Sequence, residues 1–101
     1  MQIKKVPQFN PREQLFYTFE PNDRTDVILV EFRGTEEEFD FSQITTDGVF
    51  DVQVDKLDIN PFREVKRENG ELKVKLDWYY SNPDEFVDSE GNPVVTDWEV
   101  V

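Results

Sequence analysis

The sequence contains no alanine, no histidine and no cysteine. Alanine is the strongest helix former, so its absence disfavours long helices. Aromatic residues are frequent instead, with nine phenylalanines, three tyrosines and two tryptophans, and together with the many valines they favour strands. The composition therefore predicts a β-rich α+β fold. We expect a mostly antiparallel sheet or a small sandwich, with one or two short helices.

The missing residue types also limit the chemistry. Histidine and cysteine are the usual groups for acid–base catalysis, nucleophilic attack and transition-metal binding. A carboxylate pair for glycoside hydrolysis needs a cleft for several sugar rings, which a chain of 101 residues seldom provides. Asp84, Asp88, Glu90 and Asn92 lack the regular spacing of a calcium-binding loop. We therefore expect a protein that is not an enzyme, with no catalytic residues, cofactor or metal site.

The length predicts a single domain over residues 1–101. No apolar stretch is long enough to span a membrane, and without cysteine no disulfide stabilises the fold. The first seven residues, Met1 to Pro7, carry charge but no apolar stretch, so we expect no secretory signal peptide.

The net charge of −12 disfavours contact with nucleic acid and with anionic membranes. The acids are concentrated in two segments without any base, residues 34–55 and 76–101, whereas basic residues cluster at Lys4-Lys5 and between Arg63 and Lys75. Such a surface keeps a β-rich protein in solution. It is also a surface that a basic partner, or another copy of the chain, recognises.

Turn residues divide the chain into short segments. Four of the six prolines follow asparagine, a pair that favours turns. The clearest element is a hairpin at Asn69-Gly70, with Val65 opposite Val74, because the apolar residues after the turn alternate with charged ones. Further strands are expected in segments rich in β-branched and aromatic residues: 2–7, 14–19, 26–33, 49–55 with a bulge near Asp55-Lys56, and 93–101.

Two segments have features of short helices. Thr35 to Glu38 matches a capping box with three acids at the positive end of the helix dipole, although the alternation of Phe39 and Phe41 favours a strand there almost equally. Asn82-Pro83 followed by two acids predicts a single helical turn through Val87.

Candidate interaction residues lie at two places near the end of the sequence. Trp78, Tyr79 and Tyr80 form the densest aromatic stretch, and alternation along a strand brings at least one large ring to each face of the sheet. Such a ring stacks on a sugar or anchors a protein interface. Asp97, Trp98 and Glu99 form the second place. We expect the two terminal strands at sheet edges, and a homo-oligomer in which Lys4-Lys5 of one copy pairs with the acids of another.

The segment from Asn69 to Tyr80, together with the ending Asp97 to Val101, resembles small proteins encoded among the tail and baseplate genes of phages of Gram-positive bacteria. The likeness lies in size, acidity, the succession of strands and turns, and the tryptophan-rich ending. The resemblance implies a compact β or α+β module with a role in assembly, adsorption or accessory functions. It implies no particular site residue, because it includes no motif.

These features predict a non-catalytic binding or structural module, encoded by a phage, as a virion tail or baseplate component or an accessory protein. Its partner would be a protein or a second copy, with no direct contact to nucleic acid or membrane. We expect it in the host cytoplasm during expression, or in the virion. One alternative is an acidic inhibitor that imitates DNA in the groove of a host DNA-binding protein. Another is a carbohydrate-binding module that uses Trp78, Tyr79 or Tyr80.

Overall fold

The computed structural model describes residues 1–101 and contains eight strands in two sheets. A five-stranded sheet has the order β5-β6-β7-β1-β8, and a three-stranded sheet has the order β2-β3-β4. All neighbouring strands are antiparallel except β1 and β7. The strands are β1 (Gln2–Phe9), β2 (Leu15–Phe19), β3 (Val27–Phe32), β4 (Thr35–Asp40), β5 (Gly48–Phe50), β6 (Phe62–Glu68), β7 (Glu71–Tyr80) and β8 (Glu99–Val100).

The β-rich class is confirmed, but the predicted short helices are wrong. The structure has only one 3₁₀ turn, Pro21–Asp23, and none of its helices is long and apolar enough to cross a membrane. Thr35 to Glu38 belongs to β4, because in a strand Glu37 and Phe39 both reach the interior. The turn at Asn82 closes with one bond from the Glu85 N–H to the Asn82 carbonyl and goes no further.

The hydrophobic core lies between the two sheets. The three-stranded sheet supplies Ile28, Val30, Phe32 and Phe39, and Phe41 follows β4. The five-stranded sheet supplies Phe62, Val65, Leu72, Val74 and Leu76. Leu72, Val74 and Leu76 are at most 1% exposed, as the alternation in β7 predicts. The two sheets therefore form a small sandwich.

The predicted hairpin is confirmed together with its register. Asn69 and Gly70 have φ angles of 52° and 80°, which a two-residue turn of the I′ type requires. Val65 lies opposite Val74, and Lys66 opposite Lys73. Like charges in this position repel each other. The carboxylate of Glu68 lies 3.5 Å from the Lys66 ammonium and 3.4 Å from the Lys73 ammonium, and so relieves the repulsion.

The segment after β5 differs from the prediction. Only Val49 and Phe50 of the expected strand 49–55 are paired, as part of β5, and the strand irregularity lies between Phe62 and Glu64 rather than near Asp55-Lys56. The reason is a buried carboxylate. Glu37 accepts hydrogen bonds from the backbone N–H groups of Asp55, Lys56 and Leu57 at 2.9, 2.6 and 3.0 Å, so these groups are not available for a strand ladder.

The chain ends pair with each other inside one molecule. The expectation that β1 lies at a sheet edge is wrong, because β1 lies between β7 and β8. The expected C-terminal strand 93–101 is reduced to Glu99–Val100. The Lys5 ammonium lies 3.6 Å from the Glu99 carboxylate, and the Thr96 hydroxyl donates to the Lys5 carbonyl at 2.6 Å. The charge pairing expected between copies is thus made within the chain.

Candidate functional site

The three aromatic residues expected at an interaction site are half-buried, and each contacts another ring. Trp78 stacks on Tyr17 with ring centroids 5.6 Å apart, and the Lys5 ammonium lies 4.3 Å from the Trp78 ring centroid. Tyr79 meets Phe32 edge-on at 6.1 Å. Tyr80 contacts Phe9 and Phe86 at 5.6 and 4.9 Å. None of the three presents a fully exposed ring for stacking on a sugar.

The second group of predicted residues lies along the five-stranded sheet. Trp98 covers the outer face of the β6–β7 hairpin, with its ring 5.7 Å from the Lys66 ammonium and 5.3 Å from the Lys73 ammonium. Glu99 pairs with Lys5, and Asp97 is exposed. The structure therefore does not bring Asp97, Trp98 and Glu99 together with the three aromatic residues of β7.

The contacts between the sheets show which strands face each other. Phe39 of β4 lies 4.7 Å from Phe62 of β6, whereas Tyr17 of β2 stacks on Trp78 of β7, whose register partner is Pro7 of β1. Thus β4 lies over the β6 side of the five-stranded sheet and β2 over the β1 side. We call the side bounded by the free edge of β2 and by Lys4–Phe9 of β1 the open flank.

The free edge of β2 has backbone groups without partners. The Glu20 N–H donates to the Val27 carbonyl at 2.8 Å, which fixes the alternation of the ladder between β2 and β3. The backbone N–H and C=O groups of Phe16 and Thr18 therefore form the hydrogen bonds to β3. Those of Leu15, Tyr17 and Phe19 point away from β3. None of these outward groups takes part in a hydrogen bond within the chain.

The other edges are protected against further pairing. Natural edge strands are blunted by charge, by proline or by short length. The free edge of β4 carries acidic residues, the free part of β1 carries two lysines and a proline, and β5 and β8 are three and two residues long. The residues concerned are Glu36, Glu38, Asp40, Lys4, Lys5 and Pro7. Among the edges longer than three residues, only β2, Leu-Phe-Tyr-Thr-Phe, has neither charge nor proline.

An exposed ring and two unpaired carboxylates lie beside this edge. Phe16 is 51% exposed, and on the outer face of the three-stranded sheet it is followed by Glu31 of β3 and then Glu36 of β4. Glu31 and Glu36 face each other directly, and neither forms an ion pair, although facing like charges are unfavourable. By contrast, Arg24 pairs with both Glu38 and Asp40.

A groove of about 700 Å³ continues from the N-terminal end of β2. Its lining includes Tyr79 and Tyr80, so two of the predicted residues do share a surface with the β2 edge. Arg33 donates to Glu13 at 2.6 and 2.9 Å on one wall, whereas Arg12 forms no ion pair. Burial, with a contribution from the negative charge of Asp77, raises the pKa of Tyr79, so its hydroxyl remains a hydrogen-bond donor.

Tyr17 anchors β2 to the five-stranded sheet. Its hydroxyl donates to the Asp77 carbonyl at 2.5 Å, and burial raises the pKa of Tyr17 well above its ordinary value. Asp77 in turn accepts from the Arg63 guanidinium at 2.6 Å. The edge is thus a rigid feature of the sandwich. Together with the groove it offers backbone donors and acceptors, an apolar ring and free charges.

Comparisons with known proteins give no match for this chain: no protein-family model matches it, and no curated protein or solved structure is found to be similar.

Proposed function

We propose that this chain is a non-catalytic protein-binding module that binds an extended segment of its partner along the free edge of β2. The observation that supports this proposal most directly is that β2 is the one edge longer than three residues that has neither charge nor proline. Its outward backbone groups form a template for another strand, a recurring way in which proteins recognise extended peptides. The half-buried Pro7 of β1 is the register partner of Trp78, on which Tyr17 of β2 stacks, so β1 is the next strand of the larger sheet on this side.

Following the resemblance in the sequence, we further propose that the module is phage-encoded and acts as a tail or baseplate component or as an accessory protein. Its partner in the first role is another virion protein. Mass spectrometry of purified virions tests the structural role: a fixed copy number per particle supports it, and absence from the particle leaves the accessory role.

The binding proposal is tested with a matched pair of variants at the start of β2. Proline is tolerated at the first residue of a strand, and Leu15→Pro removes an outward N–H that no ladder bond uses. Leu15→Ala shortens the same side chain but keeps the N–H. Immobilised wild-type protein, Leu15→Ala and Leu15→Pro are each exposed to extract from phage-infected cells, and bound proteins are identified by mass spectrometry.

The expected result is a specific partner retained by wild type and Leu15→Ala and lost with Leu15→Pro, while circular dichroism shows that all three are folded. If the captured partner is the same for all three proteins, binding does not use the β2 edge and the proposal is wrong.

A second candidate function is inhibition of a host DNA-binding protein by imitation of DNA. It is favoured by the row of carboxylates on β3 and β4, where Glu31 and Glu36 are unpaired and Glu36, Glu38 and Asp40 recur at every second residue. Alternate residues along a strand are about 7 Å apart, close to the spacing of successive phosphates. Capture of a DNA-binding protein at about 50 mM salt that is lost at about 200 mM supports this function, since such contacts rely on exposed charge.

A further inference from the structure

We infer that the segment bound at β2 is a basic amphipathic strand, with lysine or arginine on its outward face and apolar residues on its inward face. This inference rests on the proposed function and specifies the partner's chemistry. It is drawn from two features of the open flank, the unpaired carboxylates beside β2 and the partly exposed apolar residues of β1, and from the charge of the whole chain.

The residues on the outward face of the bound segment would lie beside Phe16, Glu31 and Glu36. A strand added to β2 lies about 4.8 Å from it, and hence about 10 Å from β3. A lysine or arginine opposite Phe16 is long enough to lay its methylene groups over the exposed ring and to bring its charge to Glu31. It supplies the cation that the facing pair Glu31 and Glu36 lacks within the chain. An acidic side chain in the same position would add a third negative charge.

The residues on the inward face of the bound segment would lie over the part of β1 next to Trp78. Tyr17 of β2 stacks on Trp78 of β7, and β1 is the next strand after β7 in the five-stranded sheet. Pro7 and Phe9 of β1 are the register partners of Trp78 and Tyr80. Phe9 is 54% exposed, Pro7 and Trp78 are half-buried, and the ammonium of Lys5 over Trp78 is paired with Glu99. Side chains from alternate residues of an added strand point toward these residues. Burial of apolar surface there favours valine, isoleucine or leucine at the inward positions.

A second copy of this chain fits the same edge less well. If β2 paired with β2 of another copy, the second copy would bring the side chains of Phe16 and Thr18 to the outer face of the sheet. Neither supplies a cation for Glu31. Each copy also has a net charge of −12, so approach of two copies is opposed by repulsion.

The test uses three capped nine-residue peptides in which valine alternates with lysine, with serine or with glutamate. Each is titrated into ¹⁵N-labelled protein, and backbone amide shifts are followed by NMR. The lysine peptide is expected to shift the amides of Leu15, Tyr17 and Phe19 and to bind more tightly than the serine peptide, while the glutamate peptide leaves these amides unchanged. Glu31→Gln is expected to weaken lysine-peptide binding about two- to fivefold, the effect of losing one exposed ion pair. Glu71→Gln, an equal change of charge at the far end of β7, serves as the control.

The outcomes distinguish the charge of the bound segment from the use of the β2 edge. Equal binding of the lysine and serine peptides at β2 would overturn the inferred charge of the partner but leave the edge as a binding site. No shift at β2 with any peptide would contradict the edge itself, and lysine-peptide shifts confined to residues 84–99 would mean binding to acidic surface alone. A wild-type dimer in sedimentation that becomes monomeric with Leu15→Pro would assign the edge to a second copy and overturn the inference.

Discussion

The guanidinium of Arg67 donates a hydrogen bond to the carboxylate of Asp26 at 2.9 Å, and this pair joins the two sheets in the interior. Arg67 lies in β6 and is 9% exposed, while Asp26 immediately precedes β3. The same guanidinium donates to the carbonyls of Gly70 and Phe41 at 2.8 and 3.3 Å. One side chain therefore connects the hairpin turn, the start of β3 and the end of β4.

Removing one member of this pair is expected to destabilise the fold strongly. Arg67→Met leaves the carboxylate of Asp26 largely buried without a cation, and loss of one partner of a buried pair costs about 3–5 kcal/mol. Asp26→Asn, which tolerates the φ of 59° at this position, removes that charge. The double variant should be more stable than Arg67→Met alone. Urea unfolding of wild type, both single variants and the double variant measures the coupling, and strictly additive effects would contradict it.

The buried carboxylate of Glu37 should make stability depend on pH. Burial by itself would raise its pKa, but the three backbone N–H groups of Asp55, Lys56 and Leu57 outweigh it, and the pKa lies below the ordinary value of 4.5. The folded state therefore binds the proton less readily than the unfolded state. The stabilisation is complete at neutral pH, well above 4.5, and is lost as the pH falls through the pKa of the folded state.

Glu37→Gln is expected to lower the free energy of unfolding at pH 7 by about 1–3 kcal/mol, because a neutral amide is a weaker acceptor and adds a donor. It should also flatten the decline of stability between neutral and acid pH. Glu36→Gln on the same strand is the control, because Glu36 is exposed and accepts none of these bonds. Parallel pH profiles for wild type and Glu37→Gln would contradict the role of this carboxylate.

Gly70→Val tests the hairpin turn. Gly70 has a φ of 80°, and a β-branched residue in that region is strained, at a cost of about 1–3 kcal/mol. Glu71→Val, at the next position within β7, introduces the same side chain where a strand conformation suits it. The melting temperature should fall clearly for Gly70→Val and little for Glu71→Val. Equal melting temperatures would mean that the turn is not the constraint we describe.

Trp98→Ala tests whether residues near the C-terminus hold the outer face of the hairpin. Loss of the ring from above Lys66 and Lys73 removes two cation–π contacts, each worth about 0.5–1 kcal/mol at exposed sites. Unfolding in urea, monitored by circular dichroism, should show about 1 kcal/mol of destabilisation. Val95→Ala, at a side chain that is 88% exposed, should change little.

The parts of the fold that the sequence predicts are those with local signals. The turn residues Asn69 and Gly70 and the alternation from Leu72 to Trp78 lie within one short stretch, so both the hairpin and its register are readable. The pairing of β1 with β7 joins distant parts of the chain and has no local pattern. At Thr35 to Glu38 the helix-capping pattern and the strand alternation compete, and the burial of Glu37 and Phe39 decides for the strand.

In the candidate site, too, only the features with a local sequence signal could be predicted. Tyr79 and Tyr80 are visible as an aromatic stretch, and the structure places both in the groove. The edge of β2 is a property of the strand order, which the sequence does not reveal. The sequence signal is weak, because the uncharged run from Gln14 to Phe19 is no longer than the runs at residues 41–46 and 91–96.

The parallel pairing of β1 with β7 also sets the order in which the molecule assembles. The meander β2-β3-β4 and the hairpin β6-β7 each form from neighbouring segments, and closing short loops costs less chain entropy than closing long ones. The register partners in β1 and β7 are 71 residues apart in the sequence, so their pairing closes a long loop. We therefore expect β1 to join the sheet late. Before β1 pairs, Lys4, Lys5 and Pro7 make it a poor template for strand pairing with another chain.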